Sequence, residues 1–203
     1  VLAVGRIVSP GGRALLVSAR KDSDPEILAT VAFATGQLKD PDAVSWLSEL
    51  LVARTTHAAV AREAAQALGK IRTVPARAAL EKYLATASDT AATAQVVGEA
   101  LLAIGRFTTR DDIAPILRWT MAADADVRWR AAWALFRPRD PAAVPRLFEL
   151  SADVSPEVRF WAVRGLTPTL VNEAGLDLGR SAERVRGLVN DPDRRVRTEA
   201  LRA

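Results

Sequence analysis

The stretch from Ala123 to Leu150, ADADVRWRAAWALFRPRDPAAVPRLFEL, constrains the fold more than any other part of this chain. It reads as two antiparallel helices. The first is opened by Asp124 or Asp126 and carries Val127, Ala131, Ala132 and Leu135 as an apolar stripe. The second is opened by Asp140-Pro141, an N-cap with proline at the first helical position, and carries Val144, Leu147, Phe148 and Leu150. One such pair cannot bury its apolar faces alone, so it must stack on copies of itself.

Copies do recur. The marker residue of the stripe returns as Ile27, Val60, Val96, Val127, Val158 and Val196, at spacings of 33, 36, 31, 31 and 38 residues. Nine residues after the first three markers stand Gly36, Gly69 and Gly105, with Gly5 ending an earlier copy. These glycines are expected at helix C-termini, where a left-handed residue is favoured. Phe136 and Thr167 hold the slot in later copies, with Pro138 and Pro168 expected to stop the helix instead.

The expected pairs are 1–20 (truncated), 22–54, 55–87, 88–122, 123–151, 152–190 and 191–203 (truncated). Asp24-Pro25, Asp40-Pro41 and Ser155-Pro156 serve as helix starts, and Pro75, Pro115 and Pro145 lie early in second helices. An extra turn is expected before Val96, and Pro168 to Arg180 reads as an insertion. The expectation is an all-α chain, 1–203 forming a single array of about six stacked pairs. It begins inside the end of one helix and stops inside the start of another, as a piece of something longer would.

Composition agrees with helices packed through small side chains. The chain is 49% hydrophobic but only 5% aromatic, so Ala, Leu and Val supply the apolar content. With no Cys, a disulfide framework and thiol chemistry are excluded. No apolar run approaches the roughly eighteen residues of a membrane helix. A net charge of +4 fits a solvated arginine-rich surface better than a nucleic-acid footprint.

The phrases DVRWRAAWAL, PEVRFWAVRGL and DRRVRTEAL, with Asp-Pro starts and a VP-x-L second helix, resemble the HEAT repeat family, of the bacterial Ala/Arg-rich type. The resemblance covers essentially the whole chain. It implies a right-handed α-solenoid, a superhelix with first helices on the convex side and second helices on the concave side. It also implies protein binding and scaffolding, here as the arm of a larger bacterial protein such as one carrying a prolyl isomerase domain.

Few residues suggest chemistry. His57, the one histidine, reads as a helix-start residue, and Asp111-Asp112 as helix capping. Gly11-Gly12 and Gly175 with Gly179 lack the context of a phosphate loop. No catalytic residue, metal site or cofactor is expected.

The informative positions lie opposite the stripe. Counted from the marker, steps 0, 4, 5 and 8 cluster on one side, and steps 2, 3 and 6 should face solvent. Those slots hold Ala29, Thr30 and Phe33, then Arg62, Glu63 and Gln66. In the reference pair they hold Trp129, Arg130 and Trp133, and in the next Phe160, Trp161 and Arg164. Trp with Arg is the composition of interface hot spots. These six are the expected contact with a protein partner or with the rest of a parent chain; the alternatives are a misjudged helix phase, cover by flanking chain or by the Pro168–Arg180 insertion, and a nucleic acid or other ligand. An arginine ladder, Arg128, Arg159 and Arg197, is expected to pair with acids of neighbouring repeats among Asp124, Asp126, Asp153 and Asp193, for about 0–1 kcal/mol each.

The competing expectation is DNA binding, because HEAT-like helix pairs also build bacterial DNA glycosylases and the C-terminal part is rich in arginine (Arg180, Arg184, Arg186, Arg194, Arg195, Arg197). Interleaved Glu183, Asp191 and Asp193 oppose it. A third resemblance, to HEAT-like bilin lyases, is supported by no residue.

Overall fold

The computed structural model describes residues 10–53, 56–110 and 112–203. Gly5, Ser9 and Asp111, with the first helix of the earliest pair, lie outside the described residues. The chain divides into two compact units, Val1–Phe107 and Thr108–Ala203. Among the described residues there are only helices and turns.

In the first unit, α1 (Pro10–Ala19), α3 (Val44–Val52) and α5 (Val74–Thr86) are second helices, and α2 (Pro25–Leu38), α4 (Ala58–Ile71) and α6 (Ala91–Ile104) are first helices. The first helices pack on one another in order, α2 on α4 and α4 on α6. Each later first helix also packs on the second helix before it, α4 on α3 and α6 on α5. The stripe behaves as the spacing requires: Val60, Ala64, Ala65 and Leu68 are buried, as are Val96, Ala100, Leu101 and Ile104.

In the second unit, α8 (Ala125–Phe136), α10 (Pro156–Val163) and α13 (Arg194–Ala200) are first helices. α9 (Val144–Leu150) and α12 (Leu178–Leu188) are second helices. α10 packs on both α8 and α13. The second helix expected near Ile113 is α7 (Ala114–Leu117), which tightens into a 3-10 turn, Arg118–Met121. Trp119 of that turn is the largest fully buried side chain described.

The helix starts follow the capping expectations. Asp24 and Asp124 accept N–H groups of α2 and α8, and Asp40 and Asp140 cap short 3-10 turns that lead into α3 and α9. His57 caps α4, its Nδ1 accepting the Ala59 N–H. Thr90 and Thr93 form a capping box that starts α6 before Val96. Ser155 holds the N-cap position of α10 without a side-chain bond; the Asp153 carboxylate accepts the Ser155 N–H instead, at 2.8 Å.

Two expectations are corrected. Gly36 and Gly69 are not left-handed caps. Both lie inside helices, and the left-handed residues come three positions later at Lys39 (φ 50°) and Arg72 (φ 58°), with Arg139 (φ 52°) in the copy that lacks the glycine. The glycines serve close approach. A Cβ on Gly36 would stand 2.6 Å from the Ala67 Cα, and one on Gly69 would stand 2.7 Å from the Ala103 Cα. Pro168 does not merely stop a helix either. It begins α11 (Pro168–Glu173), whose Leu170 and Val171 are buried, so part of the insertion is structured. α11 packs on α12 and on the Pro141–Ala143 turn, in the layer of second helices.

Candidate functional site

The six residues singled out at steps 2, 3 and 6 of α8 and α10 come together, but not as a solvent-facing patch. Each is half-buried. Neighbouring first helices lie side by side, so the flank of one covers the flank of the next, and only the rim meets water.

Trp161 is the centre. Its ring lies 6.4 Å from those of Trp129 (stacked), Trp133 (edge-on) and Phe136, and 4.9 Å from Phe160. These separations fall within the range in which aromatic pairs attract beyond their buried area. The indole N–H groups of Trp129 and Trp161 donate to Asp126 (3.1 Å) and Glu157 (3.2 Å), one turn earlier on the same helices.

Cations cover the ring faces. The Arg164 guanidinium lies 5.2–5.5 Å from the Phe136, Phe160 and Trp161 rings, and Arg130 lies 4.7 Å from Trp129. Arg137 sits over Trp133 and Arg195 over Phe160. Arg130 also donates to the Asp126 carbonyl at 3.1 Å, while its Nε is buried without a hydrogen-bond partner. Phe136 belongs to this cluster although the sequence pattern offered it only as a helix-ending residue. Its position three residues after Trp133 and seven after Trp129 was the available signal.

Beside the rings runs the arginine ladder. Arg128 holds Asp153 through two bonds of 2.9 and 3.0 Å, and its Nη1 donates to the Ala122 and Ala123 carbonyls. Arg159 holds Asp191 at 2.7 and 2.8 Å and donates to the Asp153 and Val154 carbonyls. Arg197 repeats the carbonyl bonds, to Asp191 and Pro192. The expected acid was right for Asp153 and wrong by two residues for Asp193. Asp193 caps α13 and pairs with Arg195 of its own helix, and Asp191, two residues earlier, is the acid that reaches Arg159.

The rungs are also more than surface pairs. The Asp191 side chain is 4% exposed and that of Arg159 14%. The Arg159 hydrogen bond holds the Asp191 carboxyl below its usual range. Burial would raise Asp153, but the Arg128 and Ser155 hydrogen bonds outweigh it and hold that carboxyl low too.

This stacking of helix pairs through their first helices defines an α-helical repeat solenoid. The family described as HEAT repeats matches residues 13–101 and 90–167, and the chain belongs to it. Among solved structures, it is similar to an engineered protein at 21% identity and a TM-score of 0.67, covering 99% of this chain and 94% of that one. It is also similar to a designed armadillo repeat protein in complex with the peptide (KR)4, at 18% identity and TM-score 0.66, over 92% of this chain and 95% of that one. A third likeness, at 20% identity and TM-score 0.57, covers 96% of this chain and 82% of its counterpart, in the complex of CpcE and CpcF of phycocyanin lyase from Nostoc sp. PCC7120. No curated protein matches the chain. Likeness at these identities concerns the fold. Among the described residues, no helix is long and apolar enough to cross a membrane.

Proposed function

We propose that the chain is a non-catalytic protein-binding scaffold, its pairs along 1–203 acting as one repeat array, and that the aromatic–arginine seam of α8 and α10 is its contact surface. The carrying observation is the cluster around Trp161. Trp129, Arg130, Trp133, Phe160, Trp161 and Arg164 meet in one seam, rigid enough to bind without losing much side-chain freedom. The partner is another protein, or the remainder of a larger chain for which the array is an arm. The designed armadillo protein seen with a (KR)4 peptide supports peptide recognition as something this fold can do.

The arginine-rich C-terminal part supports DNA binding less well, because two of its arginines are committed within the fold. Arg195 pairs with Glu157 and Asp193, and Arg197 donates to backbone carbonyls. The test is affinity capture with the immobilised chain. Trp129→Ala with Trp133→Ala should keep the helical circular dichroism and lose the captured partner. Unchanged recovery overturns the assignment of the seam.

A further inference from the structure

The place that an arginine rung fills in the second unit is hollow in the first. Arg128 and Arg159 stand one step after their markers, Val127 and Val158. Each spans from the turn before its own helix to the turn before the next first helix. The acid that Arg128 reaches, Asp153, lies two residues before the α10 N-cap. In the first unit the same step after Val60 holds Ala61, and two residues before Thr90, the α6 N-cap, stands Ser88. Both charges of the rung are missing together.

Their place is open. A hollow of about 470 Å³ lies between the turns that precede α4 and α6, with Ala61 and Ser88 both in its wall. That volume is within the range of small-molecule sites. Leu51, Val96, Ala58 and Ala92 supply apolar wall, and the alanines leave width that longer side chains would close. Among the described residues, no charged side chain lines it.

Its polar groups are hydroxyls. Those of Thr86 and Thr93 donate to backbone carbonyls. Tyr83, Thr56 and Ser88 also line the hollow, and among the described residues their hydroxyls have no hydrogen-bond partner. Burial pushes the Tyr83 phenol up to about 12, so it stays a neutral donor at physiological pH.

We infer that this hollow is a binding site for a small, flat, uncharged ring compound bearing a carbonyl or amide, whose oxygen receives the Tyr83 hydroxyl. Flatness follows from the equivalent place in the second unit, where a planar guanidinium fits between neighbouring turns. Neutrality follows from the two replacements. A cation would find Ser88 where Asp153 stands, and an anion would find Ala61 where Arg128 stands, so either charge would be desolvated without a partner. A neutral ring instead covers the alanine and leucine walls and spends one polar atom on the phenol. The site is built from the first unit alone and stands or falls without the Trp161 seam.

The experiment is an NMR titration of the whole nitrogen-15-labelled chain with benzamide, and with benzamidinium and benzoate as probes of the same shape and opposite charge. Benzamide should shift the Ala61, Tyr83 and Ser88 amides saturably, with a Kd of about 1–10 mM. Both charged probes should bind at least about tenfold more weakly. Tyr83→Phe removes one hydrogen bond and should weaken benzamide about three- to tenfold. Ala61→Arg with Ser88→Asp builds the rung of the second unit into the hollow, and should keep the helical circular dichroism and lose the benzamide shifts. If that double variant does not fold, Tyr83→Phe decides alone. Equal affinity for either charged probe, shifts that do not saturate or fall outside the hollow, unchanged binding by Tyr83→Phe, or binding retained by the folded double variant each overturns the inference.

Discussion

The two units stack their first helices by different means. In the first, α2, α4 and α6 approach until backbone nearly meets backbone, because Gly36 and Gly69 leave no side chain opposite Ala67 and Ala103. The flanking contacts are light: Lys70 over the Phe33 ring at 4.6 Å, and Arg62 donating to Gln95 at 3.3 Å. In the second unit the seam is filled with rings around Trp161 and tied by the Arg128–Asp153 and Arg159–Asp191 rungs. Small residues achieve close packing with little directional content. Rings and bidentate ion pairs hold the helices through orientation, and a substitution there loses specific partners rather than space.

The largest break is expected at a rung. Arg159→Ala removes the partner of a carboxylate that is 4% exposed and strips two carbonyls of their donor. Removing one member of a buried pair costs about 3–5 kcal/mol, and urea unfolding should show a loss of that order. The pH dependence follows from the depressed Asp191 carboxyl, which Arg159 holds down by its hydrogen bond. A lowered folded-state value contributes stability above the ordinary carboxylate range, near pH ~4, and loses it as pH falls through the folded value. The wild-type chain should therefore lose stability more steeply than Arg159→Ala below about pH 4. Parallel acid profiles would show that the rung is not formed in solution.

Next comes the ring cluster. Trp161→Ala removes the ring that touches four others and the seat of Arg164. Full burial would make this a loss of about 3–5 kcal/mol; the half-exposed rim reduces it to about 2 kcal/mol by the same reckoning. Phe33→Ala, at the equivalent flank of the first unit, should cost clearly less. If the two losses match in thermal melts, the contrast between the seams is wrong.

Much of this was legible beforehand, and the misses share a cause. Steps 0, 4, 5 and 8 predicted the buried stripe because a helix fixes which residues share a face. The same rule chose the residues of the aromatic seam but misjudged their exposure, since periodicity describes one helix and not the neighbour beside it. Gly36 and Gly69 were misread for that reason too. Local chemistry suggests a cap, whereas the need is a close approach to Ala67 and Ala103, far along the chain. Asp191 and Asp193 read alike because both precede α13 and each accepts the N–H two residues on; only the arginine each one meets, Arg159 or Arg195, tells them apart. That Phe148 leaves the stripe and turns toward Arg180 and Arg184 was hidden because those arginines come from α12, at and beyond the end of the insertion.

A third break tests the small-residue seam. A Cβ on Gly69 meets the Ala103 backbone, which cannot rotate away as a side-chain tip can. Gly69→Ala should cost about 1–3 kcal/mol despite its better helix propensity. Gly187→Ala, in open space on α12, is the matching control and should be neutral or slightly stabilising. Equal responses would mean that α4 and α6 are not in close contact.

The smallest effect is expected at Glu63, where the first unit tolerates an imperfect charge. One of its carboxylate oxygens is buried without a hydrogen-bond partner, and burial raises its titration above the usual value despite the attraction of Lys70 and Arg62. A raised folded-state value contributes stability below the unfolded value, near pH ~4.3, and that contribution is gone once pH rises through the folded value. At neutral pH the charged Glu63 is therefore a cost. Glu63→Gln should raise the urea midpoint at pH 7 by the equivalent of less than about 1 kcal/mol and leave it unchanged near pH ~4. The Arg159→Ala profile has the opposite sense, with its largest effect at neutral pH. A fall in stability for Glu63→Gln at pH 7 would mean that Lys70 and Arg62 outweigh burial, and that this seam also depends on paired charge.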